Sequence, residues 1–143
     1  MLQADDAEPP RERKGTMDYR LELVPIPVSD VDRAKAFYAE KVGFSVDHDV
    51  NADTDHRVSD KTRVVQLTPP GSACSIAFGV GILGTQPGSV QALHLVVSDI
   101  EVARAELTER GVEVSEVQDL GGVLYAHFSD PDGNGWALQQ LPY

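Results

Sequence analysis

Val28-Ser29-Asp30-Val31 returns 69 residues later as Val97-Ser98-Asp99-Ile100. Each copy follows an apolar, strand-like run, at 21–28 in the first case and 92–97 in the second. Each precedes a helical pattern: Val31, Ala34, Phe37 and Tyr38 recur on one face, as do Ile100, Ala103, Leu107 and Thr108. Asp30 and Asp99 stand where a helix N-cap belongs, because a short carboxylate accepts bonds from the first free N–H groups. Gly43 and Gly111 stand where the helices stop, since glycine tolerates the left-handed closing residue. Phe44-Ser45-Val46 and Val112-Glu113-Val114 then read as short strands.

A second marker pair fixes the rest of the repeat. Thr68-Pro69-Pro70-Gly71 and Asp130-Pro131-Asp132-Gly133, offset by 62, are both turn sequences. Strand-like runs at 63–67 and 124–128 enter these turns, and runs at 75–78 and 136–139 leave them. Each half therefore reads strand–helix–strand–strand–strand. The offset shrinks because the loop at 47–62 is longer in the first half. The predicted fold class is α+β: two βαβββ modules in tandem, about 18–84 and 89–143, behind a disordered tail at 1–17.

Composition narrows the function. The chain has 143 residues, of which 41% are hydrophobic, so one domain can bury a core without staples. One cysteine, Cys74, excludes an intramolecular disulfide framework. Twelve basic residues against 23 acidic ones leave a net charge of −11, a field that repels phosphate backbones and anionic lipid. Nucleic acid and membrane are therefore not expected as partners. The opening MLQADDAEPPRERKGT has no basic-then-apolar leader pattern, and cytoplasm is the default location.

PVSDVDRAKAFYAEKVGF at 27–44, with FSDPDGNGW at 128–136, resembles the vicinal oxygen chelate superfamily, which includes glyoxalase I, extradiol dioxygenases, fosfomycin-modifying enzymes and bleomycin-binding resistance proteins. The resemblance covers about 19–142. It implies curved mixed sheets around one cavity, and a homodimer. In metal-dependent members, ligands come from the first and last strand of each module. The matching positions here are Leu23, Ala92, Ala137 and Ser75, or Ala77 if the first turn is aligned one pleat further on. None is an imidazole or carboxylate, so the usual metal site and cofactor are not expected.

Strand alternation assigns what faces the cavity instead. With Ala92 inward, His94 and Val96 follow. Ala137 and Gln139 share that side. The resemblance to fosfomycin-type members implies that His127 reaches substrate, and Tyr125 shares its face. The first module offers Leu21, Leu23, Pro25, Arg63, Val65, Ser75 and Ala77. The site expected is His127 and His94 as acid–base residues, with Tyr125, Gln139, Arg63, Ser75, Leu23, Ala92 and Ala137 around the ligand.

Three readings stay open. The first is a binding protein for an apolar or cationic small molecule, in the manner of the bleomycin-type proteins. The second is a metal-independent isomerase, cyclase or lyase using His127 and His94. The third is a metalloenzyme with a displaced site at His94, Gln139 and His127. The acidic 47–62 loop, with His48 and His56, reads as a solvated segment or a lid.

Overall fold

The computed structural model describes residues 17–51, 63–80 and 83–143. The expected tail, up to residue 16, and most of the expected lid, 52–62 with His56, lie outside the described residues. The first half runs β1 (Leu23–Pro25), α1 (Val31–Ala36), a π-helical continuation (Phe37–Val42), β2 (Ser45–Asn51), β3 (Arg63–Thr68) and β4 (Ser75–Val80). The second runs β5 (Leu93–Val96), α2 (Ile100–Glu109), β6 (Gln118–Leu120), β7 (Val123–Ser129) and β8 (Gly135–Gln140). Two four-stranded mixed sheets result, ordered β1-β4-β3-β2 and β5-β8-β7-β6. In each, the first strand lies parallel to the last and the remaining pairs are antiparallel. This is the predicted tandem βαβββ plan.

The local signals act as expected at the helix ends. Asp30 accepts from Arg33 N at 3.0 Å, and Asp99 from Glu101 N and Val102 N. Gly43 and Gly111 both adopt φ of +91°, which an L side chain rarely tolerates. The first helix widens into π geometry, where Gly43 N and Phe44 N converge on Tyr38 O at 3.0 and 2.8 Å. Two strand expectations need correction. β2 continues to Asn51, through residues assigned to the loop, after a register shift between Val46 and His48. Val112 to Val114 form no strand. Val112 is buried in the core, while Arg104 donates to the carbonyls of Val114 and Ser115 and draws them toward α2. The strand of this position is β6.

The two modules share one core. Each sheet turns one face toward the helices, and Tyr38 stands where those faces meet. Its ring packs on Phe44, Phe78 and Trp136 with centroids 5.7, 5.8 and 5.8 Å away. Its hydroxyl donates to Asp130 Oδ2 at 2.7 Å and accepts from Trp136 Nε1 at 3.0 Å. Burial, then the Asp130 charge, pushes the phenol well above its ordinary range, so it stays a donor. Asp130 is itself held by Asp132 N, Asn134 N and Asn134 Nδ2. Asn134 completes the link by donating to Pro27 O at 2.9 Å, and Ser29 bonds Asp132 through both N and Oγ.

A surface network braces the edge of the first sheet. Arg63 bonds Asp49 with two nitrogens and Asp32 of α1 with a third, and Lys35 also reaches Asp49. Arg63 first, and then Lys35, hold the Asp49 carboxyl well below the usual carboxylate range.

Tyr38→Phe leaves Trp136 Nε1 and one Asp130 lone pair unmatched inside the core. The expected loss in urea unfolding is about 1–3 kcal/mol. Asp49 has a lowered native pKa, so its pairing stabilises the fold above the unfolded value of about 3.9 and is lost as pH falls toward the native value. Water screens the pair, so its worth is about 1 kcal/mol or less. Asp49→Asn is therefore expected to flatten the fall in stability between pH 5 and pH 2, read by denaturation at each pH.

Candidate functional site

Residues directly opposite in neighbouring strands share a face, so register tells which side chains meet. In the second sheet, His94 lies opposite Ala137, and Ala137 opposite His127. The next row is Val96, Gln139 and Tyr125. All six stand on the face turned away from the core. Leu93, Leu95, Trp136, Leu138, Ala126 and Phe128 take the other face. The predicted phase of this sheet is the one observed.

Ala137, in the middle of the first row, is 1% exposed, because its methyl is short and its neighbours are tall. His94 and His127 stand on either side, two strand spacings or about 10 Å apart at Cα. Tyr125 lies beside both rings: edge-on to His94, with centroids 6.0 Å apart at 87°, and parallel to His127 within 14° at 6.5 Å. Gln139 Nε2 donates to Tyr125 Oη at 3.1 Å. His94 Nδ1 lies 2.7 Å from Ala92 O. The main chain of His127 is tied to Ser115, while its ring bonds to no other described residue. Both histidines are exposed. Val96 and Leu120, on the same side, are 62% and 60% exposed. The face combines two imidazoles, a phenol and an amide with exposed apolar side chains.

The first sheet departs from the expected phase in one strand. Leu23, Pro25, Ser75 and Ala77 share the face away from the core, with Val64, Gln66 and Thr68 of β3. Arg63 and Val65 do not. Arg63 lies opposite Val80 and Val65 opposite Phe78, which is fully buried in the core. Arg63 therefore stands on the helix side, where its charge meets Asp32 and Asp49. The apolar alternation at 63–67 is compatible with either phase; only the register with β4 separates them. His48 and Val50 of β2 join the outer face, opposite Gln66 and Val64. They were hidden in sequence by the bulge, which reverses the parity of β2.

Register also settles the alignment of the two modules. The helix repeat makes Leu23 equivalent to Ala92, and Pro25 to His94. Pro25 pairs with Ala77 and His94 with Ala137, so Ala77, rather than Ser75, matches Ala137. Ser75 lies one pleat away, 5% exposed, with its hydroxyl 2.7 Å from Thr68 Oγ1. The four positions that hold a cation in metal-dependent members thus carry Leu23, Ala77, Ala92 and Ala137. Hydrocarbon does not fit a divalent ion. Among the described residues no three His, Cys, Asp or Glu side chains gather as a metal site. In the displaced set, His94 Nδ1 and the Gln139 amide are already bonded.

Two hollows open between the modules. One of about 1240 Å³ is bordered by Phe37, Lys41, Arg104, Val112, His127 and Trp136. The other, about 450 Å³, lies between the β3–β4 turn and β5 and includes Phe44, Pro69, Pro70, His94 and Leu95. Neither is lined by Leu23, Ala77, Ala137 or Gln139. The core occupies the space between the inner faces of the two sheets. Among the described residues the outer faces therefore do not close on each other as one cavity.

Comparison with known proteins agrees with this architecture. TnmS3, an antibiotic binding protein from Streptomyces sp. CB03234, is 33% identical, with a TM-score of 0.77 over 89% of this chain and 99% of that one. A glyoxalase/bleomycin resistance protein from the same strain is 35% identical, with a TM-score of 0.71 over 85% of this chain and 100% of that one. A member of the same superfamily from Sphaerobacter thermophilus DSM 20745 is 30% identical, with a TM-score of 0.72 over 87% of this chain and 99% of that one. The search of curated proteins gave no match. The family model for the Glyoxalase/Bleomycin resistance protein/Dioxygenase superfamily matches residues 20–138, and the chain belongs to that superfamily.

Proposed function

We propose that the outer face of the second sheet binds a small, planar, largely apolar molecule and holds it unchanged. The observation that carries this is the pair of near-parallel rings, Tyr125 and His127, on the strand beside Ala137. Aromatic surfaces attract planar π systems through offset stacking, and rigid rings lose little entropy on binding. The likeness to an antibiotic binding protein supports the same class of ligand. The net charge of −11 favours a neutral or cationic molecule. Ala92 and Gln139 are proposed as wall residues; Leu23 and Ser75, on the outer face of the first sheet, would join them only from a second copy, and Arg63, on the opposite side, does not.

The exposure of Val96, Leu120 and Val50 on the outer faces supports a homodimer in which a second copy covers them. No helix among the described residues is long and apolar enough to cross a membrane, and a cytoplasmic location is proposed.

One observation favours a catalytic reading. His94 is oriented by a carbonyl at Nδ1 and stands exposed next to Ala137, the arrangement of a general base. In that reading His127 supplies the acid in an isomerisation, cyclisation or elimination.

Isothermal titration with a panel of planar aromatic antibiotics is expected to find a ligand recovered intact by mass spectrometry. Tyr125→Ala and His127→Ala are each expected to weaken its binding about tenfold, the worth of one stacking contact, without moving the thermal midpoint. Unchanged affinity in both variants overturns the platform. A new product during incubation, lost in His94→Ala and His127→Ala, replaces it with the catalytic reading.

A further inference from the structure

We propose that Ala92 sets the tautomer of His94, so that this face presents a bare Nε2 lone pair and selects ligands with a phenolic hydroxyl. This rests on the platform reading above and names its ligand class. Ala92 O carries lone pairs and no hydrogen. Its 2.7 Å contact with His94 Nδ1 therefore places the ring hydrogen on Nδ1. In the neutral imidazole, Nε2 is then an acceptor.

The carbonyl points there because of the backbone. Ala92 has φ of +66°, and among the described residues it is the non-glycine residue with positive φ. For an L-residue that conformation is disfavoured, because Cβ crowds the carbonyl oxygen that follows. The surroundings impose it. Gln91 Nε2 donates to Gly88 O and Gly133 O, each at 3.0 Å, and Gly135 N donates to Val90 O at 2.9 Å. The segment entering β5 is thus pinned to the Asp130–Asn134 turn, and the chain must twist at Ala92 to join β8 in register. Strain held by its surroundings at a binding face is a pointer to function.

The neighbouring polar group has the opposite character. Tyr125 Oη accepts from Gln139 Nε2, which leaves its own hydrogen to donate. The face offers an acceptor at His94 and a donor at Tyr125. The matching ligand is a planar aromatic molecule with a hydroxyl for His94 and a carbonyl for Tyr125.

The test uses the full chain labelled with nitrogen-15, at a pH where His94 is neutral. Long-range proton–nitrogen spectra are expected to show a protonated Nδ1 and a bare Nε2. Ala92→Gly, which tolerates positive φ, keeps that pattern. Ala92→Val, which resists it, shifts His94 toward the Nε2–H form. A wild-type His94 protonated on Nε2, or a pattern unmoved by Ala92→Val, overturns the assignment. The ligand arm titrates 2-naphthol against 2-methoxynaphthalene. The ether is expected to bind about tenfold more weakly, the worth of one hydrogen bond, and His94→Ala erases the difference. Equal binding of the two by the wild type overturns the hydroxyl selectivity. If neither probe binds while His94 shows the Nδ1–H form, the platform reading fails and the tautomer assignment stands.

Discussion

The Asp130 carboxylate is buried, and an unpaired charge there would cost several kcal/mol. It is matched by donors from both halves of the chain. The Tyr38 hydroxyl, itself accepting from Trp136 Nε1, comes from the first module, while the donors of Asp132 and Asn134 belong to the second. Asn134, fully buried, adds Pro27 O and Val90 N. Within a few ångströms these bonds fix the angle between the modules, the start of α1 and the segment that enters β5. The aromatic cluster around Tyr38 supplies hydrophobic energy, but it is non-directional. The directional bonds of the turn decide how the two sheets sit.

The duplicated plan is closed a second time at the helix C-termini. Arg110 Nη1 donates to Lys41 O, and these two residues are themselves 69 apart, the repeat offset. Arg110 comes near Gly43, and Lys41 Nζ near Gly111. Each helix thus places its last cation by the other's closing glycine, where carbonyls are left over and the dipole is negative. The modules keep this frame in common while their outer faces differ. The first presents Leu23, Pro25, Ala77, Val64 and Gln66; the second presents two histidines, a tyrosine and a glutamine. A frame held by turns, caps and inner-face packing leaves the outward positions free to carry different chemistry.

That division explains what was legible. The caps, the glycine stops and the turns are local, and each left a mark at fixed spacing. The phase of the second sheet was readable because Leu93, Leu95, Trp136 and Leu138 are apolar and their alternates, Val96 apart, are small or polar. β3 was ambiguous, since Arg63, Val65 and Leu67 include a charged residue on the side that faces a helix. The charge is accommodated there because Asp32 of α1 and Asp49 of β2 meet it, a contact between residues 31 and 14 positions away. The start of β2 was read, but its continuation to Asn51 was missed because a bulge breaks the two-residue period that identifies a strand. Val112 to Val114 imitated a strand because a buried apolar pair in a connecting segment has the same alternation.

By itself the sequence determined the duplication, the α+β plan and the lack of metal ligands at the four expected positions. These depend on residue type and on spacing along the chain. The tertiary structure alone decided which face Arg63 occupies, that Ala77 matches Ala137, and that, among the described residues, the outer faces do not close into one cavity. It also decided the backbone twist at Ala92 that orients His94. Those outcomes depend on register between strands and on bonds across 42 to 107 residues, such as Asn134 to Pro27. No local pattern encodes them, because the partners become neighbours only once both modules are packed on Tyr38 and Asp130.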